Sequence, residues 1–77
     1  MREIAPGIVS DPEILGGRPT VKGHRITVSQ LMGQLAGGMT IREMQDDYNL
    51  RDEEVSALLA FAAQAVQEKE WQYAPRP

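Results

Sequence analysis

Few residues in this chain offer reactive chemistry. His24 is the single histidine, and no second ligand-type residue stands near it at metal spacing. It reads as a polar residue at a hairpin tip in preference to a general base or a metal ligand. Asp46-Asp47 is a carboxylate pair, but neighbours on a helix point about 100° apart and form no dyad. A solvated helix face is the better reading. Gly17-Arg18-Pro19-Thr20-Val21-Lys22-Gly23 has the composition of a phosphate loop but not its order, because lysine precedes the glycine and no Ser or Thr follows Lys22. Without cysteine, disulfides and thiolate zinc sites are excluded. These residues describe no enzyme and call for no cofactor or metal.

Recognition chemistry is better represented. Arg18, Lys22, His24 and Arg25 gather around one predicted hairpin, and Arg42 and Arg51 follow, with Arg2 at the start. These are candidate contacts to DNA phosphates; the alternative for the hairpin group is a solvated surface. Trp71 and Tyr73 stand among Glu68, Lys69 and Glu70. Large aromatics at a projecting helix end either pack back on the hairpin or dock on a partner chain, and docking is the reading taken.

Charge limits the first of these ideas. The net charge is −3, unevenly spread. Residues 1–30 carry Arg2, Arg18, Lys22 and Arg25 against Glu3, Asp11 and Glu13, a balance of +1. Residues 31–77 carry Arg42, Arg51, Lys69 and Arg76 against Glu43, Asp46, Asp47, Asp52, Glu53, Glu54, Glu68 and Glu70, a balance of −4. A field over the whole protein that attracts nucleic acid is absent, so any such contact is local.

The elements that must position these groups can be read along the chain. Ile8-Val9 predicts a short strand entering an Asp11-Pro12 turn. Pro19-Thr20-Val21 and Arg25-Ile26-Thr27-Val28 flank Lys22-Gly23-His24 and predict a hairpin with Val21, Ile26 and Val28 facing the core. Ser29 or Thr27 caps a first helix carrying Leu31, Met32 and Leu35, which Gly37-Gly38 stops. Thr40-Ile41-Arg42-Glu43 has the pattern of a capping box, with Met39 and Met44 placed as a hydrophobic staple. The second helix ends near Tyr48-Asn49. A third begins near Asp52, its leading carboxylates suiting the positive end of the helix dipole. Val55, Leu58, Leu59, Ala62, Ala65 and Val66 predict its buried face, and it runs to about Trp71 with its last turns projecting.

The fold expected is α+β and mostly α: an N-terminal hairpin over residues 1–28, a three-helix region over 29–72 and a tail over 73–77, in one domain. Thr40 to Ala63 has helix-turn-helix spacing, with Asn49-Leu50-Arg51 as the turn. Yet Asp52-Glu53-Glu54 would set three carboxylates against phosphates, which favours the hairpin cations over the third helix. A 77-residue chain buries only about 60% of its unfolded surface, so self-association as a two-fold dimer is expected from the hairpin edge and the long apolar helix. No apolar run approaches the ~20 residues that span a bilayer, and the start has no signal-peptide run. A soluble cytoplasmic protein is expected.

Ile8-Val9-Ser10-Asp11-Pro12-Glu13-Ile14-Leu15-Gly16-Gly17-Arg18-Pro19, then Val21-Lys22-Gly23-His24-Arg25-Ile26-Thr27-Val28, then Ala36-Gly37-Gly38-Met39-Thr40, resembles the domain-of-unknown-function 433 family, and the likeness continues from Leu50 to Ala62. The resemblance implies a homeodomain-like helix-turn-helix antitoxin of the VapB type, paired with a PIN-type ribonuclease toxin and repressing its own operon through DNA. A PIN active site is a cluster of metal-binding carboxylates, so a cation such as Arg25 or Arg76 suits it, and Arg76 joins Trp71 and Tyr73 as a partner contact. Three positions depart from the family pattern. His24 stands where threonine is usual, Asn49 is unfamiliar in the turn, and Arg51 replaces a Thr/Ser cap, which leaves Asp52 as the alternative cap. Two other readings stay open: a stand-alone DNA-binding regulator, and a module that only dimerises.

Overall fold

Short strands come first, and a proline-glycine turn makes them. The computed structural model describes residues 1–73; the side chain of Trp71 and residues 74–77, Arg76 among them, lie outside that description. The elements are β1 (Arg2–Ala5), β2 (Ile8–Ser10), β3 (Thr20–Val21), α1 (Val28–Ala36), α2 (Ile41–Tyr48) and α3 (Asp52–Lys69), with 3-10 turns at Leu15–Gly17 and Glu70–Gln72. The strands form one antiparallel sheet in the order β1-β2-β3. The chain is therefore α+β and mostly helical, as its patterning predicts.

The sheet differs from the expected hairpin in two ways. Arg2–Ala5 pairs with Ile8–Ser10 across Pro6-Gly7, with a bulge between Glu3 and Ala5; this strand has no apolar alternation to announce it. Arg25–Val28 is not a strand. It meets β3 only at a single Thr20–Thr27 bridge and through the Val28 N–H donating to the Pro19 carbonyl (2.9 Å). Thr27 is already committed to the helix. Its Oγ1 accepts from the Gln30 N–H (3.0 Å), and the Gln30 Oε1 accepts from the Thr27 N–H (3.0 Å). That reciprocal cap turns the chain into α1 at Val28 and identifies Thr27, not Ser29, as the cap.

The other helix boundaries follow local chemistry. Thr40 and Glu43 cap α2 reciprocally, and Met39 and Met44 both join the core. Asn49 ends α2 in the left-handed region, at φ 55°, a conformation that asparagine tolerates better than most residues. Arg51, not Asp52, takes the cap position of α3. No side chain there can accept from the helix, but the Glu54 carboxylate reaches back to the Arg51 N–H (2.9 Å). Asp52 instead accepts from Gln45 Nε2 (2.8 Å) and ties α3 to α2.

Strands β2 and β3 and all three helices bury side chains in the same small core, and Ile4 and Ala5 of β1 pack against it. Ile8, Val21, Leu31, Met44 and Leu58 are each no more than 1% exposed. Val28, Leu50 and Val55 complete this core, with Ile26 and Phe61 packed at its edge. The apolar stripe of α3 is buried only through its first half. Leu59, Ala65 and Val66, expected inside, are exposed, Val66 by 64%. A sheet of such short strands covers one end of an 18-residue helix and no more. The expected projection of the last turns is seen, and the chain measures 47 × 30 × 20 Å.

Among the glycines the least room is at Gly7, whose φ of +78° already favours glycine; a methyl group there would stand 2.9 Å from the Ala57 Cβ. Gly7→Ala should lower the unfolding free energy by about 2–3 kcal/mol, from left-handed strain plus crowding against α3. Gly23 has φ +86° but open space around it, so Gly23→Ala should cost only about 1–2 kcal/mol. Urea unfolding of both variants, and of Gly7→Ala with Ala57→Gly, separates the terms. The double variant should be more stable than additivity allows by about 0.5 kcal/mol or more.

Candidate functional site

The expected DNA-contact residues do not form one patch. Packing of the β3–α1 connection on the start of α3 brings Lys22 and Arg51 to a single hollow, with Gly7, Glu53, Glu54 and Ala57. Arg42 lines a different depression on α2, beside Ile41, Gln45, Asp46 and Asn49. Arg18 faces the far side, next to Pro19, Val28 and Phe61. Arg25 is exposed on the connection leading into α1.

Three of the six candidates are already paired. Lys22 Nζ lies 3.4 Å from Glu3 Oε1 on β1. His24 Nε2–H donates to Glu54 Oε2 at 2.8 Å, and both side chains are largely covered, 21% and 12% exposed. A carboxylate can only accept, so the proton sits on Nε2. Arg51 Nε lies 3.4 Å from the other oxygen of the same carboxylate. His24 is thus turned inward and ties the connection after β3 to the first turn of α3. Among the described residues, Arg18, Arg25 and Arg42 make no ion pair.

The three carboxylates at the start of α3 also have separate fates. Glu54 is consumed by His24 and Arg51, Asp52 by Gln45, and Glu53 alone points outward without a partner among the described residues. Burial pushes the Glu54 carboxyl up, but the Arg51 N–H, the His24 ring and the Arg51 guanidinium outweigh it and hold it below the ordinary carboxylate value. The Gly7 N–H, and then Lys22, hold Glu3 low in the same way. The Thr40 backbone and hydroxyl do so for Glu43. Sequence reasoning missed Glu54 as a tie. The signal was present, since Glu54 stands three residues after Arg51 as Glu43 stands after Thr40.

Asp46 and Asp47 are exposed on α2. Among the described residues no group of three His, Cys, Asp or Glu side chains could hold a metal ion, and no helix is long and apolar enough to cross a membrane. Tyr73, after the last 3-10 turn, is 81% exposed. On the same side, the uncovered half of α3 has an apolar groove of about 350 Å³ against α1, lined by Pro19, Val28, Met32, Phe61 and Ala62. Phe61 and this groove were not singled out from the sequence.

Fold and surface together define a small, mainly helical α+β protein whose sheet is locked to one half of its last helix while the other half stays uncovered. The chain belongs to the family described as Protein of unknown function (DUF433), whose model matches residues 8–62. It is also similar to the "Uncharacterized protein y4eO" of Sinorhizobium fredii, 33% identical over 58 residues, which is 75% of this chain. The chain spans about a quarter (26%) of that relative's length. No solved structure matches it.

The depressed Glu54 value has a defined sign. Such a carboxylate contributes its full stabilisation above the unfolded value of about 4.3, and loses it as pH falls through the folded value. Glu54→Gln should cost about 2 kcal/mol at neutral pH, because it removes a charge-assisted tie. It should also flatten the acid limb of a stability-versus-pH curve below about pH 4.3. Thermal unfolding of parent and variant across pH checks both; a parallel acid limb in the variant would assign the acid sensitivity elsewhere.

Proposed function

We propose that this chain is the antitoxin of a cytoplasmic toxin–antitoxin pair. It is a non-enzymatic helix-turn-helix protein of VapB type that silences a PIN-type ribonuclease and regulates its own operon through DNA. The observation that carries the reading is the uncovered distal half of α3, with Val66 and Tyr73 exposed and the C-terminal segment following directly. Apolar surface left bare on so small a chain is surface intended for another molecule. Trp71, Tyr73 and Arg76 belong to the arm that reaches the toxin, where aromatic anchors supply affinity and a cation suits a carboxylate-lined active site. Co-expression with the neighbouring reading frame should recover a complex, and Trp71→Ala should weaken it by about 2 kcal/mol or more while leaving the fold intact. Equal loss of stability and binding makes Trp71 a core residue and defeats the docking role.

The DNA arm of the proposal rests on α2 and α3 being joined by the short turn at Asn49–Arg51, together with cations free of carboxylate partners among the described residues, Arg25 foremost. Weak, salt-sensitive binding through the β3–α1 connection is expected. In titrations of operator-region DNA, Lys22→Ala/Arg25→Ala should reduce the salt slope by about 1 per lost phosphate contact. Ser56→Ala/Gln64→Ala on α3 should leave it unchanged. Loss of binding in the α3 pair alone would assign recognition to that helix. DNA binding without any toxin complex would favour the stand-alone regulator.

A further inference from the structure

The connection between β3 and α1 is pinned at both ends and loose between them. On the β3 side the His24 N–H donates to the Val21 carbonyl (3.0 Å) and closes a four-residue turn, and the Lys22 N–H donates to the Gly7 carbonyl (2.9 Å). On the α1 side the Val28 N–H donates to the Pro19 carbonyl (2.9 Å), beside the reciprocal Thr27–Gln30 cap. Between these points Arg25 takes part in no backbone hydrogen bond among the described residues. Its neighbours on either side are turned inward. Ile26 packs at the edge of the core, and His24 Nε2–H reaches the Glu54 carboxylate on α3. We propose that His24 is a positioning residue for DNA: its bond to Glu54 anchors the peptide before Arg25, so that this cation meets a phosphate at a preset place.

The ring itself is badly placed to touch a phosphate. Its side chain is 21% exposed, and its Nε2–H is spent on Glu54 Oε2 at 2.8 Å. That bond spans thirty positions and is the one hydrogen bond between this connection and α3 among the described residues. The neighbouring cations are held by carboxylates, Lys22 by Glu3 and Arg51 by Glu54. Arg25 is exposed and without an ion-pair partner among the described residues. Its approach to a phosphate therefore depends on where its backbone is held, not on the release of a carboxylate.

An arginine on an unanchored peptide loses conformational freedom when it binds, and one whose backbone is already held loses less. Removing the anchor should therefore weaken binding without removing a contact. This separates a positioning histidine from a contacting one, because the salt dependence of binding counts phosphate contacts while affinity also registers the cost of ordering. Glutamine at position 24 can offer an amide N–H to Glu54 in place of the ring N–H, whereas leucine fills space and donates nothing. The assignment rests on the DNA arm of the proposed function and specifies how its foremost cation is held.

Two measurements on the full chain test this. Under native conditions, trypsin cleavage after Arg25 reports opening of the connection, and cleavage after Arg42, inside α2, reports opening of the whole fold. His24→Leu should raise the first about tenfold more than the second, and His24→Gln should behave as the parent does. In salt titrations with a mixed-sequence duplex of about 20 base pairs, His24→Leu should weaken binding about three- to tenfold at an unchanged salt slope. Arg25→Ala should instead lower the slope by about 1, and adding His24→Leu to it should cost nothing further. His24→Gln should bind as the parent does, which keeps the test decisive even if His24→Leu fails to fold. A parent that binds no duplex at low salt overturns the DNA reading and this role with it. If the parent binds, three results each overturn the positioning role and leave the DNA reading standing: equal cleavage ratios in parent and His24→Leu, a lowered slope in His24→Leu, or no rescue by His24→Gln.

Discussion

A sheet whose strands hold four, three and two residues cannot stabilise itself, and the rest of this structure depends on how it is backed. The first half of α3 provides the backing. Val55 and Leu58 meet Ile8 and Val21 from below, while Gly7 lets the β1–β2 turn come down on Ala57. Isolated hairpins are marginal in water, so nothing N-terminal to α1 is expected to hold its shape without α3. The His24–Glu54 tie adds direction to this packing. Apolar contact alone is indifferent to small slides, whereas a 2.8 Å bond between largely covered groups fixes one register of connection against helix.

The arrangement divides α3 into two halves with different duties. Its N-terminal half is spent inside the molecule, with its carboxylates drawn into caps and ties. Its C-terminal half continues the same apolar stripe past the point where the sheet and α1 run out. A long helix on a small core leaves such an overhang, and an overhang carrying valine, alanine and tyrosine is unlike the polar face of a solvated helix. The core of a single chain is shorter than the helix that completes it.

Cations are rearranged by the same packing. Lys22, His24 and Arg51 appear in the sequence as positive charges near one another, and in the fold each meets a carboxylate from a distant or neighbouring turn. A paired cation is a poorer phosphate ligand than a bare one, since binding must first release its partner. Arg18, Arg25 and Arg42 stay available but lie on different faces. Any contact to a polyanion is then spread over separate points, which suits a local and salt-sensitive interaction better than a deep, continuous one.

What the sequence determined by itself is mostly local: the α+β class with its helical majority, the Thr40–Glu43 box, the stop after Ala36, the end of the second helix near Tyr48-Asn49 and the start of α3. Each depends on residues within about one helical turn of one another, where capping and backbone preference act directly. Tertiary structure alone decided the rest. It set β1 as a strand, because Arg2–Ala5 carries no alternation and pairs only once Pro6-Gly7 turns it onto Ile8–Ser10. It settled between two readings the sequence left open for Thr27, strand arm and helix cap, by bridging it to Thr20 only once and leaving it as the cap. It turned His24 from a hairpin tip onto Glu54, thirty positions away in sequence, and left half of an evenly apolar helix bare. Periodicity marks the face of a helix that wants cover, but how far the cover extends depends on the size of the elements packed against it.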